Sequence, residues 1–305
     1  MIAILMYMKD EDKNKFMPFY DSMPIKIRDF LIRKRKPFLK RDEKIGDWDI
    51  TYITLPLSYG DKKSDYKRWH DIIENSLDIL DKQGITGAVL PEDDIFFSPV
   101  PVFRGRVVNA LLTFETSKKA IEKKNISLAK AEFTVVDGDD ELTLTALKSL
   151  SENVNHLSIL TDRESFFDDI KEEAESERGL IITTFASPKN QILKDSDVLV
   201  NCSNDMENQD YYYKRNSIYI DLAKNTAKSL RIARKREDML IIDGIGLNTD
   251  KGFFKSKLYE ALLYDNNKVF RKYFDEYKNF YDAYDILKEN NTSLSSLYFI
   301  DKFIL

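Results

Sequence analysis

The stretch Glu132-Phe-Thr-Val-Val-Asp-Gly-Asp-Asp-Glu-Leu-Thr-Leu-Thr-Ala-Leu147 decides the fold. A short apolar, β-branched run comes first, then one glycine, then apolar residues at helical spacing. It reads as a buried strand, a tight turn and a helix. A turn of this kind grips a pyrophosphate when its backbone bends tightly, lets the phosphates come close and presents the free amides of the helix. Glycines meet the first two needs. Here Gly138 alone remains, followed by Asp139, Asp140 and Glu141. Carboxylates suit a helix N-terminus, because they cap its N–H groups and oppose its dipole. They therefore stand where a phosphate would, and like charges within a few ångströms repel by about 1 kcal/mol even in full solvent.

Outward from this stretch the pattern is regular. Strands are expected at Phe133–Val136, His156–Leu160, Gly179–Thr184, Asp197–Asn201, Ser217–Asp221 and Met239–Asp243, with helices at Leu142–Leu150 and Glu164–Glu177. Short apolar strands with helical or short polar connections indicate a doubly wound α/β unit. Upstream, Ile2–Tyr7, Trp48–Leu55 and Thr86–Leu90 read as strands. A helix is expected to run to about Arg35, and Asp65–Lys82 has apolar residues at helical spacing. That alternation predicts an α/β domain with mostly parallel pairing. Pro91 to Pro101 reads as an extended loop and Arg106–Lys124 as one linking helix. In the last fifty residues Phe270, Tyr273, Phe274, Tyr277, Phe280, Tyr281 and Tyr284 recur at three- and four-residue steps, as one aromatic helix face. That face serves packing within the chain or, failing that, a homodimer or a protein partner. The expected division is residues 1–105, an N-terminal α/β domain; 106–128, the linking helix; 129–249, the doubly wound domain; and 250–305, C-terminal helices packing back.

The 305 residues are 43% hydrophobic and 32% charged, with a net charge of −5, so nothing in the balance draws nucleic acid or anionic membrane. One cysteine and two histidines leave no intramolecular disulfide and argue against a multi-cysteine or histidine-built metal site; no metal is expected. Ile2–Met8 is too short to span a membrane and runs into acidic residues, so a cytoplasmic location is the default. The basic run Arg33-Lys-Arg-Lys36 reads as a solvated helix face or as a contact for a phosphate or other anion. His70 falls within a helix and reads as structural or exposed.

Residues at strand ends are the candidate binding groups. Asp162, about 20 residues past the glycine, can hold a ribose diol, whereas Arg163 beside it suits a 2′-phosphate. Asp162 can equally be read as the cap of the next helix. Asn201, Cys202 and Ser203 follow the fourth strand of the doubly wound unit, where small polar residues line the crevice; Cys202 reads as a packed thiol. Gly244 and Gly246 read as a ligand contact or, preferably, a tight turn.

Asp197-Val-Leu-Val-Asn-Cys-Ser203, Ile218-Tyr-Ile-Asp221 and Ile241-Ile-Asp-Gly-Ile-Gly-Leu247 resemble the back half of shikimate dehydrogenases, and the nucleotide domains of glutamyl-tRNA reductases are similar over the same span. The resemblance implies a two-domain Rossmann protein, NAD or NADP as cofactor and a small-molecule ligand in the interdomain cleft. Cofactor contacts would fall on Gly138, Asp139, Asp140, Asp162, Arg163, Asn201, Cys202, Ser203 and Gly244. The family's acid–base pair of Lys and Asp has no counterpart in Thr86-Gly-Ala-Val-Leu-Pro-Glu-Asp-Asp94 or in Gly105-Arg-Val-Val-Asn-Ala-Leu-Leu-Thr113. Asp93 and Asp94 are the remaining acidic candidates for catalysis, and their other reading is a solvated loop. The expectation is a diverged protein of this kind that binds a nucleotide or related ligand. The alternative is a non-catalytic binding or scaffold protein.

Overall fold

The structure is a computed structural model and describes residues 1–35, 37–186, 190–205, 212–300 and 302–304, without the side chains of residues 33, 35, 190 and 191. Lys36 and the side chains of Arg33 and Arg35, most of the basic run, lie outside what is described. The chain divides into two compact units, Met1–Arg104 with Ala261–Asn267, and Gly105–Glu260 with Lys268–Leu305.

The first unit holds strands β1 (Ile2–Met6), β2 (Leu39–Ile45), β3 (Trp48–Thr54), β4 (Gly87–Val89) and β5 (Val102–Phe103), with helices α1 (Asp10–Phe16), α2 (Ile25–Arg35), α3 (Asp61–Ser64) and α4 (Tyr66–Lys82). Its sheet runs β2-β3-β1-β4-β5, parallel except for the β2–β3 hairpin. The apolar periodicity of α4 does what it promised: Trp69, Ile72, Ile73, Leu77 and Leu80 are buried, and Asp65 caps the helix by accepting the Arg68 N–H at 3.0 Å. Strand β2 was not foreseen. Its sequence, LKRDEKI, has no apolar alternation, because as an edge strand it leaves five of seven residues exposed. Charge on an edge strand also discourages pairing with other chains.

The second unit is built on a parallel sheet of β6 (Phe133–Val136), β7 (Leu157–Leu160), β8 (Ile182–Phe185), β9 (Val198–Asn201), β10 (Ile218–Asp221) and β11 (Leu240–Ile242). They pair in the order β11-β10-β9-β6-β7-β8. Counted from β6 this is 6-5-4-1-2-3, the doubly wound Rossmann order, and its direction reverses between β6 and β9. Helices α5 (Arg106–Leu111), α6 (Thr113–Lys124), α7 (Asp140–Ser151), α8 (Asp168–Arg178), α9 (Asn190–Asp195) and α10 (Thr226–Lys235) accompany these strands.

Two expectations for this unit are corrected. The single helix over Arg106–Lys124 is broken at Leu112 (φ −102°, ψ 26°). Ser149 of α7 enters the break: its hydroxyl donates to the Leu111 carbonyl and accepts the Phe114 N–H, both at 3.1 Å. A side chain inserted into the helical ladder is enough to divide a helix without Pro or Gly.

The C-terminal region is not purely helical either. Strands β12 (Gly244–Thr249), β13 (Gly252–Lys255), β14 (Ser293–Phe299) and β15 (Lys302–Phe303) form an antiparallel sheet in the order β13-β12-β14-β15. Gly244 and Gly246 therefore lie in a strand, not a tight turn. A Cβ on Gly246 would stand 2.2 Å from Ser296 Oγ and 2.7 Å from the Phe253 ring, so the glycine serves sheet packing. The remaining helices are α11 (Ser256–Asn266), α12 (Lys268–Glu276) and α13 (Phe280–Glu289). The aromatic stripe is divided between α12 and α13, since Tyr277 and Asn279 take positive φ (52° and 62°). Phe270, Tyr273 and Phe280 point inward and are buried, and the Tyr273 hydroxyl meets Thr145 Oγ1 at 2.7 Å. Among the described residues no helix is long and apolar enough to cross a membrane.

The break between α5 and α6 gives a direct test. Ser149→Ala strands a buried N–H and carbonyl, and should cost about 1–3 kcal/mol in denaturant unfolding. A loss below about 0.5 kcal/mol, within the range of neutral surface changes, would contradict the role given to Ser149.

Candidate functional site at the strand ends of the second unit

In an open α/β sheet the ligand crevice lies outside the carboxyl ends of the strands where the order reverses. A cavity of about 330 Å³ occupies that place. Val136 and Asp137 at the end of β6, Leu160 to Arg163 at the end of β7, Ser203 and Asp205 after β9, Tyr213, and Lys228 of α10 line it.

The β6–α7 turn is closed by its own chain. A Cβ on Gly138 would stand 2.4 Å from both the Cys202 carbonyl oxygen and the Ser203 Cα. The glycine is thus required by the approach of the β9 end. The Asp139 N–H donates to the Cys202 carbonyl at 3.2 Å, joining the turn to that backbone. The Asp139 carboxylate accepts the Leu142 N–H at 3.3 Å, capping α7, and pairs with Arg106 at 2.8 Å. The Gly138 N–H is directed at the Thr143 hydroxyl.

The neighbouring acids are paired as well. Arg163 grips Asp137 with two hydrogen bonds of 2.7 and 2.8 Å, reaches Asp140 at 2.5 Å and lies over the Phe166 ring at 4.5 Å. The Thr161 hydroxyl also donates to Asp137, at 2.7 Å. Burial alone would raise the Asp137 carboxyl; Arg163 and Thr161 outweigh it and hold the group below its usual 3.8.

Asp162 is different. It is exposed on the cavity, and its side chain makes no hydrogen bond or ion pair among the described residues. The capping role open to it in the sequence is not taken: the cap position of the next helical turn is Arg163, with no side-chain bond. Asn201 is fully buried. Its amide donates to Asp221 Oδ1 at 3.1 Å and to the Ser203 carbonyl at 2.9 Å, and its carbonyl accepts Lys228 Nζ at 2.9 Å. Ser229 donates to Asp221 at 2.7 Å, completing a buried polar chain. Cys202 is wholly buried, which pushes its thiol up to about 12. Ser203 lines the cavity and accepts the Asp205 N–H at 3.0 Å. Gly244 does not line it.

Asp93 and Asp94 lie in the first unit, beyond β4. There Lys62 of α3 binds both Asp94 and Glu92, and the Tyr7 hydroxyl, following β1, donates to Glu92 at 2.8 Å while accepting Trp69 Nε1 at 3.1 Å. Burial, reinforced by the bond to Glu92, lifts the Tyr7 phenol well above its usual value. Asp94 is therefore tied by an ion pair rather than free in a solvated loop. Lys62, Tyr7 and Lys228 were missed in the sequence. Tyr7 had a signal, since it directly follows a buried strand; Lys62 and Lys228 sit in helices with no local motif.

The strand order defines a Rossmann-type fold. The chain matches no protein-family model and no curated protein. Among solved structures it is similar to shikimate 5-dehydrogenase from Listeria monocytogenes, with 11% identity over 79% of this chain and 85% of that one and a TM-score of 0.35. Against L-tryptophan dehydrogenase from Nostoc punctiforme the identity is 14%, over 94% and 86% of the two chains, with a TM-score of 0.36. A dipicolinate synthase chain from Bacillus halodurans is 15% identical over 52% of this chain and 57% of that one, TM-score 0.36. Likeness at this level carries no argument about activity.

Two measurements check the site. Cys202 should resist a thiol reagent in the folded protein and react once in denaturant; rapid native labelling would show the β9 end to be open. Asp137, held below its usual value, contributes stability that is fully present above about pH 3.8 and lost as pH falls through the lower folded value. Asp137→Asn should therefore flatten the acid limb of a stability-against-pH curve, and an unchanged limb would contradict the pairing with Arg163.

Proposed function

We propose that the second unit binds a small ligand bearing a vicinal diol, of the ribose kind, in the cavity at the ends of β6, β7 and β9, and that it does not hold a dinucleotide pyrophosphate on its first turn. The observation that carries this reading is Asp162, the carboxylate at the end of β7 that faces the cavity with no partner among the described residues. A carboxylate there can accept both hydroxyls of a ribose. About 330 Å³ lies at the small end of ligand pockets, enough for one compact ligand.

The same charges disfavour NAD and NADP in the usual pose. A pyrophosphate on α7 would meet Asp137, Asp139 and Asp140, whose partners Arg106 and Arg163 are already engaged. The protein is thus read as a nucleoside-type ligand binder on a dehydrogenase-like fold, with hydride transfer outside its role. A scaffold role through the aromatic stripe draws less support, because Phe270, Tyr273 and Phe280 are consumed in packing.

A thermal-shift panel of adenosine, guanosine, cytidine, uridine, their 2′,3′-dideoxy forms, NAD and NADP tests this. At 100-fold over its dissociation constant a ligand stabilises by about 2.7 kcal/mol. At least one ribonucleoside should raise Tm, its dideoxy form should not, and NAD and NADP should act more weakly. Asp162→Ala should abolish the shift without lowering the Tm of the free protein. No response to any ribonucleoside at millimolar concentration, or a strong NAD response indifferent to Asp162→Ala, would refute the reading.

A further inference from the structure

We infer that the first unit carries a membrane-surface contact: the outer face of α2 and the turn before it lie on an anionic lipid bilayer, with apolar side chains in the headgroup layer and lysines on the headgroups. The inference is independent of the ligand reading, because a different surface carries it.

Helix α2, IKIRDFLIRKR, has apolar residues on both of its sides. Ile32 turns inward, where it is 2% exposed and packs with Phe16 and Tyr20. Ile27, Phe30 and Lys34 succeed one another at three- and four-residue steps on the outer side, and Ile27 and Phe30 are 53% and 57% exposed. Lys26 stands four residues before Phe30 and so flanks it, and Lys34 Nζ lies over the Phe30 ring at 4.7 Å. Neither lysine has an ion pair among the described residues. At the entry to the helix Ile25 is 51% exposed and Phe19 79%. Phe19 takes a left-handed conformation (φ 59°, ψ 31°), which is unfavourable for a bulky residue, and its ring is nevertheless not buried. A strained backbone carrying an exposed aromatic ring beside other exposed apolar side chains is the mark of a binding surface.

Charge selects what it binds. Between Met17 and Lys36 the chain has six bases and two acids, although its net charge as a whole is −5. Both acids are taken up: Asp29 binds Arg68 at 2.6 and 3.0 Å, and Asp21 binds Lys13 at 3.1 Å. Asp10, Glu11 and Asp12 of α1 are matched in number by Lys9, Lys13 and Lys15. Apolar side chains are therefore exposed where the local charge is positive. An anionic bilayer meets both features, since its acyl boundary receives the apolar groups and its headgroups the ammonium groups. A nucleic acid would use the cations and leave Ile25 and Ile27 idle, because an aliphatic side chain neither pairs with phosphate nor offers a face for stacking. No helix among the described residues can cross the bilayer, so the contact is with its surface.

The test is co-sedimentation of the full chain with vesicles of phosphatidylcholine alone and of phosphatidylcholine mixed with phosphatidylserine. The wild type should partition onto the mixed vesicles about tenfold or more better, since each base near an anionic surface adds to the attraction. Ile27→Ser/Phe30→Ser and Lys26→Glu/Lys34→Glu should each cut that partition by about tenfold, through lost apolar burial and reversed charge respectively, and leave Tm unchanged. In Phe30→Trp the emission should move to the blue on mixed vesicles, against the constant background of the buried Trp48 and Trp69. Failure to bind vesicles at millimolar lipid, equal partition onto the two kinds, double variants that bind like the wild type, or an unmoved emission overturns the inference. So does retention on single-stranded RNA without vesicle binding, or a dimer that Ile27→Ser/Phe30→Ser disperses without vesicle binding. Should a variant fail to fold, salt decides on the wild type: partition onto mixed vesicles should weaken as salt is added, and indifference to salt overturns the proposal.

Discussion

The second unit depends on one close contact, the backbone of the β6–α7 turn pressed against the end of β9. Gly138 has no room for a Cβ because the Cys202 carbonyl and the Ser203 Cα stand where it would be, and the Asp139 N–H is given to that carbonyl. In a phosphate-binding turn the glycine makes room for a ligand. Here it makes room for the neighbouring strand, and the amides of Gly138, Asp139 and Leu142 are given to Thr143, Cys202 and Asp139 of the protein itself.

The surrounding charges follow from that contact. With the turn closed, α7 is capped by Asp139, and the acids crowded near its start are tolerable because guanidiniums reach them: Arg106 from α5 to Asp139, Arg163 from the end of β7 to Asp137 and Asp140. On the far side of the switch point a separate buried chain, Lys228–Asn201–Asp221–Ser229, fixes the ends of β9 and β10. A fully bonded buried network of this kind rigidifies the strands that carry it. Between these two polar systems the cavity leaves Asp162 without a partner among the described residues, which is why ligand chemistry is assigned there.

Much of the fold was legible in the sequence, and the failures share a cause. The parallel-paired strands are mostly buried and announce themselves as short apolar runs, so β1, β3, β4 and β6 to β11 could be read directly. Exposed or one-sided strands could not. The charged β2 carries little apolar signal, β14 interrupts its apolar residues with three serines, and β12 disguised itself as a glycine turn because Gly246 answers to Ser296 and Phe253 across the sheet. The division of Arg106–Lys124 was invisible for a similar reason: it is imposed by Ser149, far away in the chain. For the site, strand ends located Asp162, Arg163, Asn201 and Ser203, whereas Lys228 came from a helix face and needed the fold to bring it in. That Asp139 and Asp140 replace phosphate-binding glycines was readable locally; that Gly138 itself is blocked by Cys202 was not.

The central claim is that the N-terminus of α7 is closed to phosphate, and backbone amide shifts test it most directly. On titration of the isotopically labelled protein with NAD to millimolar concentration, the amide signals of Gly138, Asp139 and Asp140 should stay in place. Saturable movement of those three amides would contradict the account, because it would put a pyrophosphate on the turn that Cys202 and the aspartates are held here to occupy.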